Sequence, residues 1–148
     1  IDIHIIDFGL AAELAVPQDE LQPAPTVGTP LFMPKELVED VSLHGVKTDI
    51  FSLTPIFLCL LGATDPFINR SKLRWFEKDY FETPYNFNGL CENINMQPYL
   101  YKIKKLISRF LNRMQSVDAA DRPDSDDTLK FFVKLNLFCV TYAANSRD

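Results

Sequence analysis

The sequence predicts a mainly α fold built around one buried central helix, and three stretches predict it. The first, Thr48–Ala63, reads TDIFSLTPIFLCLLGA, and from Ile50 to Leu61 only Ser52, Thr54 and Pro55 fall outside the apolar set. A helix lying on a surface shows a polar face at a 3.6-residue period. This run shows none, so it is expected to be buried on all sides. The second stretch places Leu100, Ile103, Leu106, Ile107, Phe110, Leu111 and Met114 at helical spacing. The third gives a last helix an inner face of Leu129, Phe132, Leu135, Phe138 and Tyr142.

Taken in order, the chain opens on Ile1, Ile3 and Ile5 alternating with Asp2 and His4, a period-2 strand pattern. A strand needs a partner strand to be stable, so the chain is expected to be a piece of a longer polypeptide. Pro17, Pro23 and Pro25 exclude a long helix or a central strand from the acidic stretch that follows, which reads as a loop. A turn at Gly28-Thr29-Pro30 leads to a short helix around Lys35–Glu39, and Ser42–Lys47 links that to the central run. The Thr48 hydroxyl is placed to cap the central helix, and Pro55 to bend it by removing one intrahelical bond. A strand over Ile56–Leu61 is the other reading of the same run, but the length favours the helix.

Asp65-Pro66-Phe67 ends that region, and Asn69 or Ser71 is positioned to cap a helix over Lys72–Tyr80. Thr83–Gln97, rich in Asn, Pro, Tyr and Gly, reads as a long irregular loop. Pro98 opens the next helix, whose Lys102, Lys104, Lys105, Arg109 and Arg113 fall largely on its other faces, as on a solvated surface. Ser116–Pro123 is a loop, and Ser125 or Asp124 caps the final helix.

The 148 residues suffice for one domain with a core. With 47% hydrophobic and 24% charged residues the composition is globular. A net charge of −5 leaves no electrostatic footprint for nucleic acid, no basic run suggests a membrane surface, and the central run is too short and interrupted to span a bilayer. Cys59, Cys91 and Cys139 are odd in number and widely spaced, which points to reduced thiols and a cytoplasmic location. No signal-peptide pattern is visible.

Four short motifs stand in a fixed order: Ile6-Asp7-Phe8-Gly9, Gly28-Thr29-Pro30-Leu31-Phe32-Met33-Pro34-Lys35-Glu36, Lys47-Thr48-Asp49-Ile50-Phe51-Ser52-Leu53, and Asp118-Ala119-Ala120-Asp121-Arg122-Pro123. Each is weak alone. Together they resemble the C-terminal lobe of a eukaryotic-type protein kinase, over almost all of residues 1–148, from the strand before Asp-Phe-Gly to the last C-lobe helix. The resemblance implies a mainly α, protein-kinase-like C-lobe whose parent domain is α+β.

It also implies roles. Asp7 resembles the magnesium-binding aspartate, which holds the metal bridging the β- and γ-phosphates of ATP. Phe8 would pack beneath it, and Gly9 lets the chain turn. Asp7 to Glu36 corresponds to the activation segment. Thr29 matches the threonine that contacts the catalytic aspartate in serine/threonine kinases. Thr26 is open between a phosphosite and a plain loop residue. Glu36 matches the glutamate that closes the segment and pairs with the arginine of the fourth motif, here Arg122, as a structural ion pair. Asp49 matches the aspartate that supports the catalytic loop. The sequence departs from the family pattern at Pro34-Lys35-Glu36 (usually Ala-Pro-Glu), at Thr54 (usually glycine) and at Ala119 (usually proline).

The Gly-rich phosphate loop, the lysine on its neighbouring strand, the helix glutamate and the His-Arg-Asp catalytic loop all precede Asp-Phe-Gly in the family. None of them is in this sequence, and His4 and His44 do not stand in for the catalytic loop. The expected function is therefore the C-lobe portion of a serine/threonine kinase that uses ATP and Mg2+ on a protein substrate. Its expected partner is the N-lobe and catalytic loop of the same polypeptide. The alternatives are a pseudokinase, or a stand-alone C-lobe mimic that binds and inhibits another kinase.

Overall fold

The central helix, α1, runs Val46–Leu60. It begins where the chain passes close to its own earlier loop: a Cβ on Gly45 would lie 2.6 Å from the Glu20 carbonyl oxygen, so only glycine fits. Thr48 caps the helix from inside its first turn, its hydroxyl accepting the Gly45 N–H at 3.2 Å, rather than from the position before it. Pro55 lies inside the helix, which continues through it.

The structure, a computed structural model, describes residues 4–145 apart from 16, 18–19, 24, 40–41, 78 and 93–97. Two further helices pack against α1: α2, Pro98–Met114, and α3, Ser125–Asn145. The main core joins Ile50, Phe51 and Leu58 of α1 to Ile107, Leu111 and Met114 of α2, with Tyr85, Leu90 and Cys91 from the loop between them. Stacked rings close the third side: Phe57 on Phe132 at 3.8 Å between centroids, and Phe110 on Phe131 at 3.9 Å. A smaller cluster of Met33, Leu37, Tyr80 and Phe81 sits beside it.

Several expectations are corrected. α1 is not buried on all sides: Leu60 is 75% exposed, and Ile56 and Cys59 are also open. The apolar arc of α2 is narrower than its pattern, with Leu106 exposed. In α3 the buried face is turned: Thr128 is buried, Phe131, Phe132 and Leu135 pack inward, and Leu129 is 64% exposed. The Tyr142 side chain lies outside the described residues. Asp124 settles the cap of α3, its carboxylate accepting the Asp127 N–H at 2.7 Å.

His4–Asp7 form no strand and Ile5 and Ile6 are exposed, while residues 1–3 lie outside the described ones. The physical reason is the missing neighbour: a lone strand leaves its N–H and C=O groups unpaired. The proline-rich loop instead supplies a two-residue strand, β1 (Gln22–Pro23), antiparallel to β2 (Leu43–His44), with Gln22 opposite His44. Pro23 is tolerated because this is an edge. The short helix around Lys35–Glu39 is a single 3-10 turn, Lys35–Leu37, preceded by another at Pro30–Phe32.

The helix over Lys72–Tyr80 is also corrected. One 3-10 turn, Arg70–Lys72, gives way to successive turns, with residue 78 undescribed. Neither candidate cap works as one: the Asn69 amide donates to the Pro84 carbonyl and the Ser71 hydroxyl to that of Ile68. The segment wraps around Arg70 instead of coiling. The Thr83–Gln97 loop is irregular through Glu92 and undescribed at 93–97.

Candidate functional site

Two buried arginines organise the region where the motifs meet. Arg122 is 1% exposed and leaves the loop just before α3. It makes a bidentate pair with Glu36: its Nη2 donates to Oε2 at 3.0 Å and its Nη1 to Oε1. Its remaining N–H groups donate to the carbonyls of Ser116, Val117 and Lys47 at 2.8–3.1 Å. Thr48 adds its hydroxyl to Glu36 at 3.3 Å. A buried carboxylate and guanidinium are tolerated when each is paired and its leftover capacity is filled, and five donors meeting five bonds fulfil that condition. The result ties the 3-10 turn at Lys35–Leu37 to the start of α1 and to the loop before α3.

The second arginine, Arg70, is also 1% exposed. It has no carboxylate among the described residues. It donates instead to the carbonyls of Leu31, Met33, Phe81 and Thr83, and its guanidinium lies 4.5 Å from the Tyr85 ring centre. Burial pulls its pKa below the usual arginine value. Together with two neighbours it fixes three consecutive carbonyls: Tyr85 donates its hydroxyl to Leu31 at 2.9 Å, and Ser52 of α1 donates to Phe32 at 2.9 Å. The backbone after Thr29-Pro30 is thus held rigidly from below. Upstream the chain turns at Gly28, where φ is +129°, a conformation that side chains disfavour.

Thr29 and Asp49 line one cleft of about 300 Å3 with Phe32, Thr48 and Ser52, and with Leu10, Ala12 and Leu14 from the earlier loop. Burial pushes the Asp49 carboxyl above its usual pKa, and His44 in the same cleft pulls it back. Asp7 does not line the cleft. It is exposed, with φ at +63°, at the start of a 3-10 turn over Phe8–Leu10. Phe8 does not pack beneath it: the ring is 68% exposed. Gly9 and Thr26 are exposed. The structure therefore joins Glu36 to Arg122 directly, sets Thr29 and Asp49 in the lining of one cleft, and leaves Asp7 and Phe8 apart from both.

Sequence reasoning missed Arg70 altogether. Its partners are backbone carbonyls and rings, and nothing in a sequence marks a carbonyl as an acceptor for a distant side chain. It also set His44 aside, which proves to share the cleft with Asp49.

The family model for the protein kinase domain matches residues 1–132 of the chain. The chain belongs to the protein kinase domain family. It is 30% identical over 128 residues to the serine/threonine-protein kinase pakC of Dictyostelium discoideum, covering 86% of this chain and 24% of that protein. It is likewise 30% identical over 137 residues to a protein of Acanthamoeba polyphaga mimivirus provisionally named a serine/threonine-protein kinase, covering 92% of this chain and 44% of that one. This kinase-family chain thus spans less than half the length of either relative. No solved structure matches it.

For this kinase-family chain the fit to a metal can be tested on its own donors. Among the described residues no three of His, Cys, Asp and Glu stand together as a metal cage. Asp7 offers one exposed carboxylate on a turn. A carboxylate is a donor that Mg2+ accepts, and one alone leaves most of the ion's coordination to other ligands.

Proposed function

We propose that this chain is the C-lobe portion of a serine/threonine protein kinase, transferring the γ-phosphoryl of ATP to a protein hydroxyl as part of a longer polypeptide. The observation that carries the reading is the buried Glu36–Arg122 pair. It anchors the far end of the segment that starts at Asp7, and Thr29 of that segment lines one cleft with Asp49 of α1. Asp7 would hold magnesium, which would supply positive charge against the phosphates of ATP. Thr29 and Asp49 would steady the catalytic loop, whose base lies outside these residues. The rigid carbonyl row at Leu31–Met33 would keep that end of the segment in place while the part before Gly28 moves.

The test compares the full-length parent with its Asp7→Asn variant, using labelled ATP and a protein acceptor, with a melting curve for each. The expected result is an active parent and a folded, inactive variant, because an amide binds magnesium weakly. Equal activity in both would remove Asp7 from the metal site. The 148 residues alone are expected to be inactive in the same assay.

A second reading, a pseudokinase or kinase-binding module, draws support from the exposure of Phe8 and of Ile56 and Leu60 on α1. A parent that transfers no phosphoryl group but binds another kinase would establish it.

A further inference from the structure

The turns that replace the expected helix after Arg70 leave two large aromatic side chains on the surface, away from the cleft that holds Thr29 and Asp49. Trp75 and Phe76 stand there edge to face, ring centres 6.1 Å apart, 61% and 66% exposed. With Val38 and the buried Phe81 they line a cavity of about 280 Å3. Two large aromatic side chains exposed next to each other around a concavity are costly to leave in water, and such patches mark interaction sites.

The charge around this cavity selects its occupant. Its other lining residues are Lys35, Glu39 and Glu77. Lys35 is already held, by Glu82 at 2.7 Å and Glu39 at 3.5 Å. Glu77 has no ion pair among the described residues and reaches the same cavity. The lining therefore presents aromatic faces and an uncommitted carboxylate. Aromatic faces attract cations, Trp most strongly, and the chain itself gives an instance at this spot: the Arg74 guanidinium lies 5.9 Å from the Phe76 ring centre. No cation lies over the Trp75 ring among the described residues.

We propose that this cavity docks an arginine-bearing segment of a protein partner, with the guanidinium on Trp75 and its fork on Glu77. Arginine suits the site better than lysine, because its planar group stacks on a ring and meets a carboxylate in two places at once. An acidic segment meets Glu39 and Glu77 and is repelled, and a purely apolar one leaves Glu77 facing it without a partner.

Trp75 is the chain's single tryptophan, so its fluorescence reads the site directly. The experiment titrates the chain with a short acetylated and amidated peptide bearing two arginines. The same peptide with glutamates in their place, and neutral phosphatidylcholine vesicles, serve as the other arms. The expected result is a saturable change of Trp75 emission with the arginine peptide alone. Glu77→Gln should weaken it about two- to fivefold, the scale of an exposed ion pair. Trp75→Leu, read by calorimetry, should weaken it by a similar factor. Salt at about 1 M should do the same, since screening there acts within about 3 Å. Both substitutions are at exposed positions, and circular dichroism of each variant confirms that the fold is retained. No saturable change, an equal response to the glutamate peptide, or unchanged binding in Glu77→Gln would overturn the proposal. So would a response to the vesicles alone, which would make the patch a lipid-contacting one.

Discussion

The guanidinium groups of Arg70 and Arg122 lie 5.1 and 4.9 Å from the centre of one and the same ring, that of Phe51. Both are buried, and both draw on the negative face of that ring, but their other partners differ in kind. Arg122 is neutralised by Glu36. Arg70 is held by four carbonyls and, among the described residues, by no carboxylate. The two sites should therefore respond differently to substitution.

At the Glu36–Arg122 pair, removing one partner strands the other charge in the interior. Glu36→Gln and Arg122→Leu should each cost roughly 3–5 kcal/mol. Because both substitutions break one interaction, the double variant should lose much less than the sum. Thermal or urea melts of the three variants check this, and simple additivity would count against a coupled pair.

At Arg70 no charge is stranded, but the carbonyls of Met33, Phe81 and Thr83 lose this donor, the first two of them in buried bonds, while that of Leu31 keeps the Tyr85 hydroxyl. Arg70→Met should destabilise the chain by about 3 kcal/mol or more, because each unmet buried acceptor costs about 1–3 kcal/mol. Arg70→Lys should rescue little, since one ammonium cannot reach acceptors spread across a planar fork. Hydrogen exchange should show Leu31–Met33 loosening in both variants. A lysine variant as stable as the original would mean that charge, not geometry, is what the site requires.

Thr54 is fully buried in α1 and its hydroxyl has no hydrogen-bond partner among the described residues. Replacing it with a side chain of similar shape and no polar atom removes a desolvation cost. Thr54→Val should raise the stability by about 1 kcal/mol, seen as a higher Tm. An unchanged or lowered Tm would show that the hydroxyl is satisfied in solution.

Tyr85 supplies a pH signature. Its hydroxyl is buried and donates to Leu31, and burial pushes its pKa above the usual 10.0, with Arg70 pulling in the opposite direction. The unfolded chain then loses this proton before the folded one does. Stability from this group is complete below pH 10 and falls as the pH rises above it, because the unfolded state there binds fewer protons. Tyr85→Phe should be about 1 kcal/mol less stable at neutral pH, for the lost hydrogen bond. It should also lose stability less steeply above pH 10. Parallel alkaline denaturation curves for the two proteins would contradict this.

The sequence by itself determined the elements whose signal is local. The periodicity of Leu100, Ile103, Ile107, Leu111 and Met114 marks α2, and the apolar run from Ile50 marks the helix at the centre. The order of the Asp-Phe-Gly, Gly-Thr-Pro, Thr48-Asp49 and Asp121-Arg122-Pro123 motifs carries the kinase resemblance, which the family match then established. What only the tertiary structure decided is which faces those helices bury and which groups meet. A pattern shows that residues share a face, but burial depends on what is packed against it. Leu60, Leu106 and Leu129 fit the patterns and still face outward, whereas Thr128, polar and off the expected face, is buried. A strand likewise depends on a neighbour, so the alternation at Ile1–Ile5 did not suffice to make one at His4–Asp7. Arg70 is the clearest case. Its acceptors are backbone carbonyls 11 to 39 residues away, every residue has such a carbonyl, and only folding selects the four that converge on one guanidinium.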